Sequence, residues 1–366
     1  MSEAGTRAGG RRRLGAIVQV VGFVGALVLL GWCVAKALSP ENREQLAKLS
    51  EASAGQIVGL LGLSVLTVTI NGLIFWIIIR PVKRIPAADV IGTNALATFL
   101  AYLPFKLSVV SRFVVHNRRD GVPVLTIGAW LAACGGMFVA TLGPVLAVSL
   151  WRRGIDAWWW SGSVAGVVAS TGAVLAVARA FRGDEGLARL HRITDPMKIG
   201  LVNRALRTER FRQVHDGFAM LSCPWAVFGA AGLRVLDVTV VSARFLIAAA
   251  VLGVGLSWQD AGLMGATYFI IGVVSPVGSL GTREGGTLAL ASAVGIAAAQ
   301  GTEAGGVLAV VILFVSGTES VVLIAGAGFA VAWLRADRLL RGRGPKNGSN
   351  AEARGGTRRA GGESPE

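Results

Sequence analysis

The sequence has few charged residues, which excludes an ordinary soluble globular protein. Only 16% of its 366 residues are charged, whereas 53% are hydrophobic, and the mean hydropathy is +0.61. A soluble domain of this length needs a more polar surface, so lipid must be the solvent for most of the chain.

Cysteine and histidine are also scarce, with three residues of each. The cysteines lie within apolar segments and are interpreted as small buried side chains, not as a disulfide framework or a metal site. The histidines lie at or beyond the ends of these segments without metal-ligand spacing, and we expect them to be solvated. We therefore expect no bound metal and no cofactor. The residues are Cys33, Cys134, Cys223, His116, His191 and His215.

Catalytic motifs are absent as well. The chain has no plausibly placed Ser/His/Asp order, no phosphate loop of the nucleotide-binding type, and no loop with an aspartate pair that would hold a metal and a sugar nucleotide. The sequence therefore predicts a protein that is not an enzyme.

Long apolar stretches dominate the sequence instead. A helix of about 20 residues crosses about 30 Å of hydrocarbon. Six stretches reach that length: Leu14–Leu38, Gly55–Ile79, Leu125–Leu150, Ala157–Phe181, Val235–Leu256 and Gly305–Leu334. A seventh, Gly217–Leu233, is slightly short, and Ala88–Val115 and Gly262–Ala299 are apolar but interrupted by proline and glycine. We predict an all-α, polytopic bundle of about eight transmembrane helices with two broken segments, re-entrant or discontinuous.

The formal net charge of +15 comes from basic residues in the loops and tails. The clusters are Arg11–Arg13, Arg80–Arg84, Arg118–Arg119, Arg182–Arg212 and Arg335–Arg343. This pattern is typical of cytoplasmic loops, so we predict a multi-pass protein of the cell (inner) membrane with both termini in the cytoplasm. Membrane lipids are the expected partners, because anionic headgroups attract such clusters, and nucleic acid is not.

Two cytoplasmic termini require an even number of crossings. The uninterrupted stretches number seven, so one broken region must also cross. Ala88–Val115 is flanked by basic loops, and we expect it to turn at Pro104 and return to the same face. We expect Gly262–Ala299 to supply the eighth crossing, as a half-helix that turns at Pro276–Gly281 and a second helix from about Thr282.

The two broken regions resemble each other. The first reads GTNALATFLAYLPFKLSVVSR from Gly92 to Arg112, and the second reads GATYFIIGVVSPVGSLGTRE from Gly265 to Glu284. Each has Gly and Thr at its start, then a proline, then a basic residue at similar spacing. Interrupted segments in corresponding positions of two halves indicate an internal repeat and a midplane binding site; the alternative is chance similarity between glycine-rich segments.

The break after Pro276 carries the main candidate site. Backbone that leaves the helix inside a bilayer must be enclosed, because its unpaired groups are costly there. Glycines permit the turn, Thr282 can cap the next helix, and the helix N-terminus together with Arg283 favours an anionic headgroup. Glu284 either complements the helix dipole or meets a cationic part of the ligand. The substrate-binding candidates here are Gly278, Ser279, Gly281, Thr282, Arg283 and Glu284.

Ionisable residues inside the other apolar stretches are costly and need a partner or a function. Glu319 lies in a small, polar sequence that favours a cavity wall; the alternative is an ion pair with Arg244 or Arg283. Asp237 is expected to pair with Arg234, three residues earlier.

In the first broken region the polar candidates are Asn94, Lys106 and Arg112. Lys106 and Arg112 either bind a headgroup or snorkel to the cytoplasmic surface and anchor the turn. The long loop Arg182–Asp216 is expected to form an amphipathic helix on the inner leaflet. Its apolar residues at helical spacing are Leu187, Leu190, Ile193, Met197 and Leu201.

The segments GSLGTREGG, Gly278–Gly286, and LPFKLSVVSRFVV, Leu103–Val115, resemble the lysylphosphatidylglycerol synthase transmembrane family, also called the flippase-like domain family. The resemblance covers roughly Gly15–Leu334, and its most specific element is the Gly-x-x-Gly-x-Arg-Glu core that begins at Gly278. It implies a lipid translocase. Some members move an aminoacylated phosphatidylglycerol between leaflets, and stand-alone members are tied to other polar, polyprenyl or hopanoid lipids. The implied division is a basic cytoplasmic tail at 1–13, a flippase-like transmembrane domain at 14–334 and a disordered basic cytoplasmic tail at 335–366.

The sequence also departs from the family pattern. Ser279 replaces the second of two paired glycines, the preceding proline stands further back at Pro276, and Val109 replaces a common acidic residue. The Glu-Arg pair often present on the next span is missing around Trp130–Cys134. No soluble synthase domain follows Leu334, so we do not expect this chain to make lysyl-lipid by itself.

Three hypotheses follow. The leading one is a translocase that moves an anionic or polar phospholipid or a related lipid through a polar cavity, downhill or coupled to an ion. The second is a membrane-embedded enzyme that acts on a polyprenyl, hopanoid or glycolipid substrate, with Glu284 or Glu319 as general base. The third is a scaffold that recruits a separate lipid-modifying enzyme through Arg182–Asp216. The oligomeric state is not predicted.

Overall fold

The computed structural model describes residues 3–152, 154–194, 208–275, 278–296 and 304–335. These residues form thirteen α-helices and no strand, as the composition predicts. The helices are α1 Glu3–Ala37, α2 Arg43–Ser50, α3 Ala54–Ile79, α4 Ala87–Leu100, α5 Leu107–Arg118, α6 Val124–Arg152, α7 Ala157–Ala180, α8 Gly183–Thr194, α9 Glu209–Leu221, α10 Pro224–Val251, α11 Trp258–Val274, α12 Thr282–Ala293 and α13 Ala304–Leu334.

Five helices of the described part are long and apolar enough to cross a membrane. They are α1 from Ile17, α3, α6, α7, and α13 from Gly305. Helix α10 has 28 residues, and at about 1.5 Å per residue it is also longer than the hydrocarbon core is thick. Six helices therefore run the full depth of the bundle. Together with two helical hairpins they make eight membrane-embedded elements, and the prediction of a polytopic all-α bundle is confirmed.

Helix α10 corrects one predicted boundary. The stretches Gly217–Leu233 and Val235–Leu256 are not two spans, because a single helix runs from Pro224 to Val251 and Gly217 belongs to the preceding helix. The break lies at Ser222 and Cys223, where Pro224 occupies the first turn of the new helix. Proline is favoured there because it has no N–H to leave unpaired and its φ angle suits a helix start.

The bundle has two ends, which can be told apart by their contacts. We call the first the α2 end. There the start of α13 lies against Asn42, the residue before α2, because a Cβ at Gly306 would overlap the Asn42 side chain. At the other, the arginine-rich end, the Lys83 ammonium donates to the carbonyl of Gly121 over 2.9 Å, and the Trp333 indole donates to Asp89 over 2.9 Å. The loops after α3 and α5 and the end of α13 therefore lie together.

The first hairpin, α4 and α5, starts and ends at the arginine-rich end. Its turn spans residues 101–106, and both Phe105 and Lys106 adopt positive φ angles, 68° and 51°. The predicted turn at Pro104 and return to the same face are confirmed. Pro104 disfavours a continuous helix, since proline removes one hydrogen bond and clashes with the preceding turn, and the left-handed residues Phe105 and Lys106 complete the break.

The second hairpin, α11 and α12, starts at the α2 end and returns to it. A Cβ at Gly272 would lie 2.5 Å from the Arg283 side chain, and one at Gly286 would lie 2.6 Å from Ile271, so the two helices pack antiparallel. The predicted second helix from Thr282 is confirmed, but the predicted eighth crossing is wrong. Because α10 is one span instead of two, six crossings already place the start of α1 and the end of α13 on one side. Pro276 lies outside the described residues.

The two hairpins enter from opposite ends and meet at their tips. The Ser279 amide donates to the carbonyl of Ala101 over 2.9 Å, and the Ser279 hydroxyl donates to the same oxygen over 3.2 Å. The order helix, hairpin, helix thus occurs twice, as α3 to α6 and as α10 to α13, with opposite directions through the bundle. This arrangement is that of an inverted repeat.

Two apolar cores flank the meeting point. The core nearer the α2 end packs residues of α1, α10, α11, α12 and α13 around Phe245 and Met264. The core nearer the arginine-rich end packs α3, α6 and α10 around Ile74 and Trp130. The polar groups described next lie between them.

The loops and the histidines agree only in part with the predictions from the sequence. The basic loops after α3, α5 and α7 lie at the arginine-rich end, and their cytoplasmic location stays a prediction. Helix α8 covers the first part of the expected surface helix, whereas Met197, Leu201 and the tail 336–366 lie outside the described residues. The expectation that the histidines are solvated is wrong for His116 and His215, which are buried.

Candidate functional site

The tip of the second hairpin is a tight turn held by its own hydroxyl groups. Ser275 and Thr282 both donate to the carbonyl of Gly278, over 2.5 and 2.9 Å. Gly278 and Gly281 adopt φ angles of 116° and 80°, in a region that residues with a Cβ rarely enter. A Cβ at Gly281 would also overlap the carbonyl of Ala26 on α1. Only glycine therefore permits this turn against α1.

Glu284 caps the helix that follows the turn. Its Oε2 accepts the Gly281 amide over 2.6 Å, and its Oε1 accepts the Ser316 hydroxyl over 2.5 Å. The side chain is fully buried. The helix N-terminus, predicted to receive an anionic ligand, is thus already occupied by a carboxylate of the chain. Of the two alternatives for Glu284, the structure has the one in which it complements the helix dipole.

Arg283 lies at the centre of the first polar cluster. Its Nη1 donates to Glu319 over 2.9 Å and its Nη2 donates to the Tyr102 hydroxyl over 2.9 Å. The guanidinium also stacks on two rings, with its carbon 4.3 Å from the centroid of Tyr268 and 5.0 Å from that of Tyr102. Arg283 is only 7% exposed. It joins the second hairpin to the tip of the first and to α13.

Arg244 completes the cluster from α10. Its Nη1 donates to Glu319 over 3.1 Å and its Nη2 donates to the carbonyl of Val315 over 2.9 Å. Glu319, the central residue of α13, therefore binds one arginine with each carboxylate oxygen. We call Arg244, Arg283, Glu284, Glu319 and Tyr102 the tyrosine cluster; its two arginines and two carboxylates balance in charge.

A second polar cluster lies on α3 and α10. Asp237 Oδ2 accepts Arg234 Nη1 over 2.7 Å and Asn71 Nδ2 over 2.9 Å, and Arg234 also donates to Asn71 Oδ1 over 2.9 Å. Asp237 is fully buried and Arg234 is 6% exposed. The predicted pairing of Asp237 with Arg234 is confirmed. Phe269 covers the guanidinium at 4.6 Å, next to the ring of Tyr268 in the first cluster.

Arg112 belongs to this second region but has no carboxylate partner among the residues that the structure describes. Its Nη2 donates to Asn94 Oδ1 over 2.6 Å, and Asn94 donates in turn to the carbonyl of Val68 on α3 over 3.0 Å. The guanidinium lies over the ring of Phe75 at 4.4 Å. Phe75 is one turn after Asn71, the partner of Arg234, so both arginines face the same side of α3.

Lys106 is separate from both clusters. It is exposed at the tip of the first hairpin, in a left-handed conformation at the start of α5. No ion pair of Lys106 with a carboxylate occurs among the residues that the structure describes. The two roles considered for Lys106, headgroup binding and anchoring of the turn, stay predictions.

The two clusters together form a layer at mid-depth that carries excess positive charge. Four arginines, Arg112, Arg234, Arg244 and Arg283, face the three carboxylates Asp237, Glu284 and Glu319. In the described part of the chain, Arg112 is the one arginine of this polar layer with no carboxylate within 4 Å. Its side chain is partly buried, and the one hydrogen bond given to its guanidinium in the described part of the chain is the bond to Asn94.

The structure thus divides the predicted site residues other than Lys106 into three groups. Arg244, Arg283, Glu284 and Glu319 come together, the residues from Gly278 to Thr282 form the turn beneath them, and Asn94 and Arg112 form a separate pair. Sequence reasoning missed Tyr102, Tyr268 and Asn71. The signal for the tyrosines was their rarity, since the chain has only two and both stack on Arg283.

Comparison with known proteins supports one family. The family model described as lysylphosphatidylglycerol synthase TM region matches residues 19–318. No curated protein and no solved structure gives a significant match. The matched region begins in α1, includes both hairpins and ends in α13 one residue before Glu319. With most of its length covered by this model, and with helices long enough to cross a bilayer, the chain belongs to the lysylphosphatidylglycerol synthase transmembrane family.

Proposed function

We propose that this protein moves a lipid with an anionic, phosphate-containing headgroup between the two leaflets, and that the headgroup crosses the bilayer by binding to Arg112 in the polar layer. The observation that carries the proposal is the uncompensated guanidinium of Arg112. An unpaired charge at the bilayer centre costs about 2.5–3.5 kcal/mol even on the lenient insertion scale. A chain keeps such a group only for a function, and a phosphate oxygen is a well-matched partner for it.

The inverted arrangement of the hairpins supports translocation. Transporters with inverted repeats bind their substrates near the midplane, where broken helices meet, and open to either side by small rearrangements of one repeat against the other. Here the hairpin tips meet through the Ser279 and Ala101 backbones. Helix α5, which carries Arg112, is short and partly exposed. Arg283, in contrast, is already paired with Glu319 and Tyr102, so we assign it to holding the two hairpins together.

The carboxylates of the layer argue against the enzyme hypothesis. A general base needs a free lone pair directed at the substrate. Glu284 accepts an amide and a hydroxyl, and Glu319 accepts two arginines, so both carboxylates considered as general base already accept a donor on each oxygen. We therefore propose binding and movement of the lipid without chemistry on it.

The test is lipid movement in reconstituted vesicles. The assay follows the loss of fluorescence of a headgroup-labelled phosphatidylglycerol when a membrane-impermeant reductant is added outside. Arg112→Gln should slow movement by about tenfold or more, because a hydrogen bond to a charged group contributes about 1.5–3 kcal/mol. Arg112→Lys keeps the charge and should retain part of the rate.

Two controls make the result specific. Arg152→Gln removes an arginine at the α2 end, outside the polar layer, and should leave the rate unchanged. The thermal unfolding midpoint of Arg112→Gln should be at least that of the wild type, because glutamine removes an unpaired charge from the membrane interior and the one described hydrogen bond at stake is that to Asn94. Unchanged movement in folded Arg112→Gln would refute the assignment.

A further inference from the structure

An apolar groove lies outside the polar layer, between α1, α2, α3 and α13. Its volume is about 470 Å³, and its walls include Val34, Leu46, Leu61, Leu313 and Val321. Thr318 is the one residue with a polar side chain among the described residues that line it. Since the groove is on the lipid-facing side of a membrane bundle, its surroundings are hydrocarbon.

The groove has the length of one leaflet. Along α13 it extends from Val310 to Val321, a rise of about 17 Å at 1.5 Å per residue. The hydrocarbon core is about 30 Å thick, so one leaflet contributes about 15 Å. Leu46 and Leu49 of α2 border the groove at the α2 end, and Thr318 at its inner end is adjacent in sequence to Glu319. The groove therefore leads from one membrane surface to the polar layer.

Its length decides between a helix and a hydrocarbon chain as occupant. A second transmembrane helix crosses about 30 Å of hydrocarbon, whereas the groove follows α13 only from Val310 to Val321, about 17 Å at 1.5 Å per residue. An acyl chain lies within one leaflet, so a hydrocarbon chain is the occupant of matching length.

We propose that this groove is a binding site for one acyl chain of a membrane lipid from the leaflet at the α2 end. This inference goes beyond the proposed function, because it rests on the shape of the groove and not on transport. The segment at its mouth, residues 36–51, has three basic and three acidic residues. We therefore infer that the site selects for a hydrocarbon chain and does not select a headgroup by its charge.

Gly317 offers a direct way to fill the groove. It lines the groove, and a Cβ added there would meet no atom within 4 Å. Gly317→Leu should thus occupy the groove without displacing the backbone. Gly328→Leu is the matched control, because Gly328 is on the same helix, is exposed and also has no atom within 4 Å of an added Cβ.

The experiment uses the full chain in vesicles that contain phosphatidylcholine or phosphatidylglycerol with a photoreactive diazirine on one acyl chain. Crosslinked peptides are then located by mass spectrometry. We expect stronger labelling at 57–61 and 313–321 than on the lipid-exposed face of α7, and similar labelling by both lipids. In Gly317→Leu the groove labelling should fall to the α7 level. In Gly328→Leu it should persist. Unfolding midpoints check that both variants are folded.

Three results would overturn the proposal. They are labelling spread evenly over the exposed helices, groove labelling that Gly317→Leu leaves unchanged, and crosslinks between two copies of the chain at the groove in place of lipid adducts. Lipid movement is measured separately in the same vesicles. If the groove is not labelled but lipid movement still depends on Arg112, the groove proposal alone fails. If the groove is labelled but lipid movement does not depend on Arg112, the proposed function alone fails.

Discussion

Glu319→Gln is the substitution that tests the tyrosine cluster most severely. Glu319 accepts Arg283 over 2.9 Å and Arg244 over 3.1 Å, and these arginines are 7% and 0% exposed. Glutamine keeps the shape of the side chain but removes the charge. Its NH2 group is a hydrogen-bond donor, so one of the two arginines loses its acceptor. The Arg244 charge then has no carboxylate within 4 Å in the described part of the chain, while Arg283 keeps Glu284 at 3.8 Å.

Two arguments give the magnitude. Removing one member of a buried ion pair costs about 3–5 kcal/mol, and leaving one uncompensated charge near the bilayer centre costs about 2.5–3.5 kcal/mol. Both predict a loss of about 3 kcal/mol in the free energy of unfolding, a large share of the roughly 5–15 kcal/mol that stabilises a typical domain. Equilibrium unfolding in mixed micelles measures it.

A double-mutant cycle separates the ion pair from general damage. Arg244→Met should cost at least about 1 kcal/mol less in the Glu319→Gln background than in the wild type, because its partner charge is already gone. Glu44→Gln is the matched control, since Glu44 pairs with Lys48 over 2.9 Å on the exposed surface of α2 and should not change the unfolding midpoint. Glu319→Gln at wild-type stability, or additive effects in the cycle, would refute the reasoning.

Three further predictions concern the turn, its capping and the ends of the bundle. Gly281→Ala should destabilise the protein by about 2 kcal/mol or more, because it forces a Cβ against the carbonyl of Ala26 at a positive φ, whereas Gly317→Ala should not destabilise it; thermal unfolding compares the two. Ser316→Ala should cost about 1–3 kcal/mol, because Glu284 loses one of its donors inside the core, and a Ser320→Ala control should cost less. Lys48→Cys and Lys83→Cys should react with a membrane-impermeant thiol reagent from opposite sides of the membrane, and labelling of both from one side would contradict the assignment of the two ends.

The sequence was sufficient for the fold class and the broken helices. Apolar length predicts membrane helices, and a proline inside each of the two broken apolar stretches marks a hairpin. Proline alone is not a sufficient signal, because α6 continues through Pro144. The sequence misled where apolar character continues across a helix boundary. Only Ser222 and Cys223 separate α9 from α10, so Pro224 is the main signal for the new helix. The error there changed the predicted number of crossings.

The site was predictable in proportion to how local its interactions are. Asp237 and Arg234 are three residues apart, so helical geometry alone pairs them. Glu319 had few possible partners, because ionisable residues within apolar stretches are rare, and it binds both of the arginines considered for it. Tyr102 and Arg283 are 181 residues apart, and no local pattern links them. The role expected of the α12 N-terminus was wrong because Glu284, in the same helical turn, occupies it.

The central claim is that hairpins from opposite ends of the bundle meet tip to tip and enclose the polar layer. Disulfide formation between Ala101→Cys and Ser279→Cys, with the three natural cysteines replaced by alanine, tests it directly in the membrane. The structure predicts rapid crosslinking of this pair, and none between Ala101→Cys and Ser292→Cys, because Ser292 is about 20 Å further along α12. Crosslinking of the second pair without the first would contradict the account.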